Sequence, residues 1–130
     1  MPRRLRVLIV DDEVEIVRLL SEIISTVGWE AVGARDGLDA YELFKREKFD
    51  LIITDIYMPR MNGLELLAKV KKDKVEMPVM LITGYSHFKQ LLQSLRYKPD
   101  GFLQKPFDVS ELILSIGNIQ MDDQEMEAEQ

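Results

Sequence analysis

Three aspartates at the ends of apolar runs are the residues of this chain best suited to chemistry. The segment Leu51 to Gly63, LIITDIYMPRMNG, delivers one acid, Asp55, and then turns through Met58-Pro59 and Asn62-Gly63. A second apolar run, Leu5 to Val10, ends on Asp11 and Asp12. Carboxylates gathered at one place repel and raise one another's pKa values unless a cation sits among them. Oxygen ligands alone suit a hard ion such as Mg²⁺, which keeps several waters and joins protein carboxylates to phosphate oxygens. Read alone, Asp11-Asp12 serves equally well as the acidic start of a helix.

Two more residues follow later apolar runs. Thr83 closes the run Pro78 to Thr83, and Lys105 comes just after Asp100 to Leu103. Each is ordinary by itself, a threonine ahead of a helix being usually a cap and a loop lysine a solvated charge. Together they offer a hydroxyl donor and a fixed cation to an anion held at Asp55. The anion that fits a carboxylate nucleophile, Mg²⁺ and a lysine is a phosphoryl group, taken up as an acyl phosphate.

The elements that must position these residues alternate. Strands are expected at Leu5–Val10, Glu30–Ala34, Phe49–Asp55, Pro78–Thr83 and Asp100–Leu103. Between them, helical spacing places Ile16, Leu20, Ile23, Ile24 and Val27 on one face, closed by Gly28. A second helix after Asp36-Gly37 carries Ala40, Tyr41 and Phe44, and a third from Asn62-Gly63 carries Leu64, Leu67 and Val70. A fourth from about Ser86 has Phe88, Leu91, Leu92 and Leu95 and must end by Lys98, before Pro99. Asp108 caps a last helix whose inward face is Val109, Leu112, Ile113 and Ile116. Short continuous apolar strands alternating with helices call for an α/β fold, a five-stranded parallel sheet covered on both faces. Right-handed crossovers make it doubly wound. The strand order 2-1-3-4-5, flavodoxin-like, makes the first and third strands neighbours and brings Asp11, Asp12 and Asp55 together at the switch point.

At 130 residues the chain suits one domain, 1–120, with 121–130 an acidic, disordered tail or the start of a linker. The net charge of −6 owes much to five tail acids, Asp122, Asp123, Glu125, Glu127 and Glu129. Setting them aside leaves 17 basic residues against 18 acidic ones, so nothing in the global charge supports nucleic acid binding. No apolar run approaches the roughly 20 residues that span a bilayer, and Met1-Pro2-Arg3-Arg4 with the short run after it does not read as a signal peptide. With no cysteine, thiolate chemistry and disulfides are excluded, and a cytoplasmic location is expected. Lys69, Lys71, Lys72 and Lys74 read as solvated charges favouring the end of the third helix, His87 as a surface loop residue, and Trp29 as half-buried beside the first helix.

Taken together, the chain resembles a response regulator receiver domain of two-component signalling, from Leu5 to about Gln120. The matching residues are Asp11-Asp12, Asp55 with Met58-Pro59 and Gly63, Thr83-Gly84, and Lys105-Pro106-Phe107, in order and at domain-like spacing. The resemblance implies that Asp55 accepts a phosphoryl group from a histidine kinase or histidine phosphotransfer protein. It implies Mg²⁺ bound by Asp12 and Asp55, by the backbone carbonyl of Tyr57, and by Asp11, often through water. It further implies a cis Lys105-Pro106 bond, Lys105 paired with the phosphoryl group, and Thr83 and Phe102 as a switch pair. The output would pass through the face of helix 4, strand 5 and helix 5 to a protein target, an attached output domain or a homodimer formed on phosphorylation. The phosphoryl group adds about −1.5 to −2 charge. Two hydrogen bonds to it, at roughly 1.5–3 kcal/mol each, approach the ~5.5 kcal/mol that inverts a 1:99 equilibrium.

The chain departs from the family at Lys98-Pro99, where a small Gly-Ala pair is usual, and Pro99 shortens or redirects the fourth helix. Tyr57 and Tyr85, each two residues beyond a site residue, stand at positions that the resemblance places beside the path of attacking water, and their bulk is expected to slow phosphoaspartate hydrolysis. On this reading the protein is a switch that catalyses only its own phosphorylation and dephosphorylation. One rival is an aspartate-based phosphohydrolase, which would need an acid where Tyr57 stands. The other is a receiver-like interaction module that works without phosphorylation.

Overall fold

The computed structural model describes residues 4–84 and 88–119. Tyr85, Ser86, His87 and the acidic residues beyond 119 lie outside them. Five strands, β1 (Arg6–Val10), β2 (Glu30–Ala34), β3 (Leu51–Asp55), β4 (Val79–Thr83) and β5 (Gly101–Gln104), form one parallel sheet in the order 2-1-3-4-5. Helices α1 (Val14–Thr26), α2 (Gly37–Arg46), α3 (Gly63–Asp73), α4 (Phe88–Gln93) and α5 (Val109–Gly117) connect and cover it. This is the flavodoxin-like, doubly wound fold that the alternation predicts.

The sheet separates two apolar layers. Val7, Ile9, Leu51, Ile53, Met80 and Ile82 meet α1 and α5 through Leu20, Ile24, Leu112 and Ile116. On the other face Leu8, Val10, Ile52, Val79 and Leu81 meet α2 and α3 through Ala40, Leu66, Leu67 and Val70. Alternate residues of one strand thus enter opposite layers, which is why β3 and β4 are wholly buried and apolar up to their carboxyl ends, where Thr54-Asp55 and Thr83 stand. Trp29 packs half-buried against the first layer, and Met61, Met77 and Met80 fill core positions.

Several helix faces turn out narrower than their spacing predicts. Val27 is 44% exposed because α1 ends at Thr26, and Gly28 follows at φ +86°. In α5, Leu112 and Ile116 are buried, but Val109 and Ile113 are 53% and 38% exposed. This nine-residue helix buries fewer than one residue per turn. The first turns of α3 and α5 are closed by capping boxes, Asn62 with Glu65 and Asp108 with Glu111. At the end of α4, the Lys98 ammonium donates to the carbonyls of Leu92 and Gln93 at 2.8 and 3.3 Å, ahead of Pro99.

Lys71 corrects the reading of the lysine cluster as solvated. It is only 6% exposed, and its ammonium donates to Asp100 Oδ2 at 2.6 Å and to the carbonyls of Met77 and Val75 at 2.7 and 3.2 Å. Asp100 also accepts the Val79 N–H at 2.9 Å, so one ion pair ties the end of α3 to the starts of β4 and β5. Breaking a fully buried pair costs roughly 3–5 kcal/mol, but the Asp100 side chain is 38% exposed and keeps the Val79 donor. Lys71→Met is therefore expected to cost about 2 kcal/mol, read as a lower urea midpoint with an unchanged slope.

Candidate functional site

Parallel register brings the site residues up level by level. Val10 pairs with Thr54, so the next residues, Asp11 and Asp55, reach the carboxyl edge of the sheet together. Asp55 pairs with Ile82, which sets Thr83 one step further, and Thr83 pairs with Gln104, which does the same for Lys105. The Lys105 N–H donates to the Thr83 carbonyl at 2.8 Å and extends this ladder. Because these strands all end at the same edge, four residues spread over the whole sequence, Asp11, Asp55, Thr83 and Lys105, meet in one crevice.

Asp11, Asp12 and Asp55 each place a carboxylate oxygen within 4.8 Å of the other two. Asp11 is 2% exposed and Asp55 8%, whereas Asp12 is open to solvent. Burial first, and then the charge of Asp11, push the Asp55 carboxyl up to about 6 against the lowering pull of Lys105. The Lys105 ammonium lies 2.9 Å from Asp11 Oδ2, 3.5 Å from Glu13 and 3.8 Å from Asp55 Oδ2. Burial alone would lower its pKa, but the hydrogen bond to Asp11 and the surrounding carboxylates outweigh it and hold the value above the usual. One lysine thus faces two buried acids, Asp11 and Asp55, and one exposed acid, Glu13, at closest range to Asp11. A donor set of oxygens with surplus negative charge fits a hard divalent cation.

Thr83 is 1% exposed. Phe102 sits opposite Leu81 on the neighbouring strand and packs, partly buried, into the layer under α2, α3 and α4. Since Thr83 is two residues beyond Leu81, it and Phe102 occupy the same face of the sheet. Tyr57, two residues beyond Asp55, is 56% exposed. The Lys105-Pro106 bond is cis.

Of the site residues named from the sequence, Asp11, Asp12, Asp55 and Lys105 are brought together and Thr83 ends the adjoining strand at the same edge, while Phe102 lies on β5 in the apolar layer and Tyr57 in the loop after β3. Two others were missed. Glu13 approaches Lys105, and its signal was a third acid in the run Asp11-Asp12-Glu13. Arg60 reaches Asp36 and Asp39 from the loop after β3, with no signal beyond an arginine in a turn.

The family model of the response regulator receiver domain matches residues 7–117. The chain belongs to this family. As a receiver domain of two-component response regulators, it is a module whose standard function is switching on phosphorylation. A CheY-like receiver domain protein from Methanospirillum hungatei superposes with a TM-score of 0.84 at 30% identity, covering 98% of this chain and 100% of that one. The response regulator protein TrrA from Thermotoga maritima, solved in complex with Mg(2+)-BeF, superposes with a TM-score of 0.81 at 35% identity, covering 88% and 98%. The regulatory protein AtoC of Escherichia coli is 35% identical over 111 residues, which is 85% of this chain and 24% of AtoC. A probable transcriptional regulator, ycf29 of Pyropia yezoensis, is 35% identical over 116 residues, 88% of this chain and 52% of that protein. The receiver therefore spans about half or less of these curated relatives. No helix among its described residues is long and apolar enough to cross a membrane.

Proposed function

We propose that this receiver accepts a phosphoryl group on Asp55 from a histidine kinase or histidine phosphotransfer protein. The observation that carries the reading is the meeting of Asp55, Asp11, Asp12, Thr83 and Lys105 at one sheet edge, with Lys105 between Asp11 and Asp55. A carboxylate oxygen of Asp55 attacks phosphorus, and the bond from phosphorus to the donor's leaving group breaks, with the electron pair leaving on that group. Asp11, Asp12, Asp55 and the Tyr57 carbonyl would hold Mg²⁺, which supplies charge neutralisation for the phosphoryl oxygens. Lys105 gives the same oxygens a fixed cation from the protein, and the Thr83 hydroxyl a donor.

Capture of the phosphoryl group by Thr83 would draw Phe102 after it, and the surface of α4, β5 and α5 would carry the change to an output domain, a protein target or a second receiver. The protein turns over no separate substrate on this reading, and it acts in the cytoplasm. Tyr57, with Tyr85, would slow water attack on the phosphoaspartate.

The test is incubation with Mg²⁺ and acetyl phosphate followed by intact-protein mass measurement. The expected result is one added phosphoryl group, stable in acid and labile in base. No uptake from acetyl phosphate or from any kinase would favour a phosphorylation-independent module. Continuous release of phosphate from a range of monoesters would favour a phosphohydrolase.

A further inference from the structure

We infer that Arg60 is a positioning residue for the chemistry at Asp55, clamping the loop that follows β3 onto the first turn of α2. The inference rests on the reading of Asp55 just given, and it starts from the backbone. Among the described residues Arg60 is the one non-glycine residue with positive φ, 67°. Side chains of L-residues rarely adopt that conformation, and glycine or asparagine would occupy it more easily. An arginine there needs a use for its side chain.

The use is visible in the bonds that it makes. Arg60 Nε donates to Asp36 Oδ2 at 2.8 Å, and Nη2 donates to Asp39 Oδ1 at 2.6 Å and to Asp36 Oδ1 at 3.3 Å. The planar guanidinium spans two carboxylates one helical turn apart, which a lysine ammonium does not do. Asp36 is only 8% exposed and at the same time caps α2 by accepting the Asp39 N–H at 2.9 Å. Its carboxyl is held below the usual carboxylate range, first by the hydrogen bond from Arg60.

Backbone contacts reinforce the same junction. The Gly37 N–H donates to the Met61 carbonyl at 2.9 Å, and a methyl group on Gly37 would overlap that carbonyl. At its other end the loop is closed by the Gly63 N–H, which donates to the Ile56 carbonyl at 2.7 Å, directly after Asp55. The loop from Ile56 to Asn62 is thus anchored beside Asp55 at one end and on α2 at the other. Arg60 is the side chain that fixes the second anchor.

Arg60→Gly tests this, because it relieves the backbone while deleting the clamp. The expected result is a modestly lower melting temperature, because backbone relief only partly offsets the loss of the partner of buried Asp36. Mg²⁺ affinity by calorimetry and the rate of phosphoryl uptake from acetyl phosphate should both fall about three- to ten-fold, at the lower edge of what outer partners of a metal site contribute. Arg60→Lys should fall between the two. Asp36→Asn keeps the helix cap and removes the charge, so it should reproduce Arg60→Gly, with no further loss in the double variant. An Arg60→Gly protein with wild-type Mg²⁺ affinity and uptake rate would overturn the clamp. A wild-type protein that takes up no phosphoryl group would instead overturn the reading of Asp55. The clamp would still be judged by Mg²⁺ calorimetry and by amide exchange at Ile56 and Met61.

Discussion

Asp55→Asn is expected to end phosphoryl uptake from acetyl phosphate and, in the same protein, to raise stability in metal-free buffer at pH 7.5. The loss follows from removing the proposed nucleophile. The gain follows from the pKa. Folding raises the Asp55 carboxyl from an ordinary 3.8 to about 6, so the fold disfavours its charged form. Above pH 6 that disfavour is fully present, and it disappears as pH falls through 6 toward 4, where the folded state holds a proton that the unfolded state does not yet hold. Wild-type stability should therefore rise on acidification over this window, while Asp55→Asn lacks that component. At about 1.36 kcal/mol per pKa unit the ceiling is about 3 kcal/mol, and residual water access at the crevice brings the expected gain nearer 2 kcal/mol. Lys105 does not lose its anchor in the variant, because its closer partner is Asp11 at 2.9 Å against 3.8 Å for Asp55. Millimolar Mg²⁺ should shrink or reverse the gap, since it binds the wild-type folded state more tightly. Thermal unfolding at pH 5 and 7.5, with EDTA and with Mg²⁺, gives the four values needed. A variant less stable than wild type in EDTA at pH 7.5 would contradict the burial argument.

The sequence made the fold readable because a fully covered parallel sheet demands continuous apolar strands, and β1, β3 and β4 carry the apolar runs 7–10, 51–53 and 79–82. The site was readable for a related reason. Strands of a parallel sheet all end at one edge, so the order of strands alone places Asp11, Asp55, Thr83 and Lys105 together. What escaped were side chains whose partners lie far off in sequence and carry no periodic signal. Lys71 looks like one lysine in a charged run, and only the approach of Asp100, 29 positions later, makes it a buried ion pair. Arg60 looks like a turn residue until the first turn of α2 is placed beneath it. Val109 and Ile113 misled in the opposite direction, since helical spacing marks a face but not how wide a face the neighbouring sheet will cover.

Gly63→Ala should be among the most damaging substitutions in the chain, although secondary-structure preference alone argues the reverse. Gly63 is the first residue of α3, and alanine is favoured over glycine in a helix by about 1 kcal/mol. Yet a methyl group there would overlap the backbone oxygen of Asp55 and stand 2.9 Å from Ile56 Cα. Those atoms are main chain of β3 and its exit, and the Gly63 N–H already donates to Ile56 O at 2.7 Å, so neither partner can turn aside as a flexible side chain could. Overpacking a tight core costs typically 1–3 kcal/mol, and a backbone collision belongs at the upper end, so the net loss should be about 2–3 kcal/mol by urea unfolding. Gly117→Ala is the control. It lies in the last position of α5 with nothing within 4 Å of the added methyl, and it should be neutral or stabilising by up to about 1 kcal/mol. In the folded fraction of Gly63→Ala the collision moves Asp55 itself, so Mg²⁺ binding and phosphoryl uptake should drop by more than stability alone explains. Asp55 therefore depends on Gly63 for its place: the glycine lets α3 start against the carbonyl of the proposed phosphoacceptor.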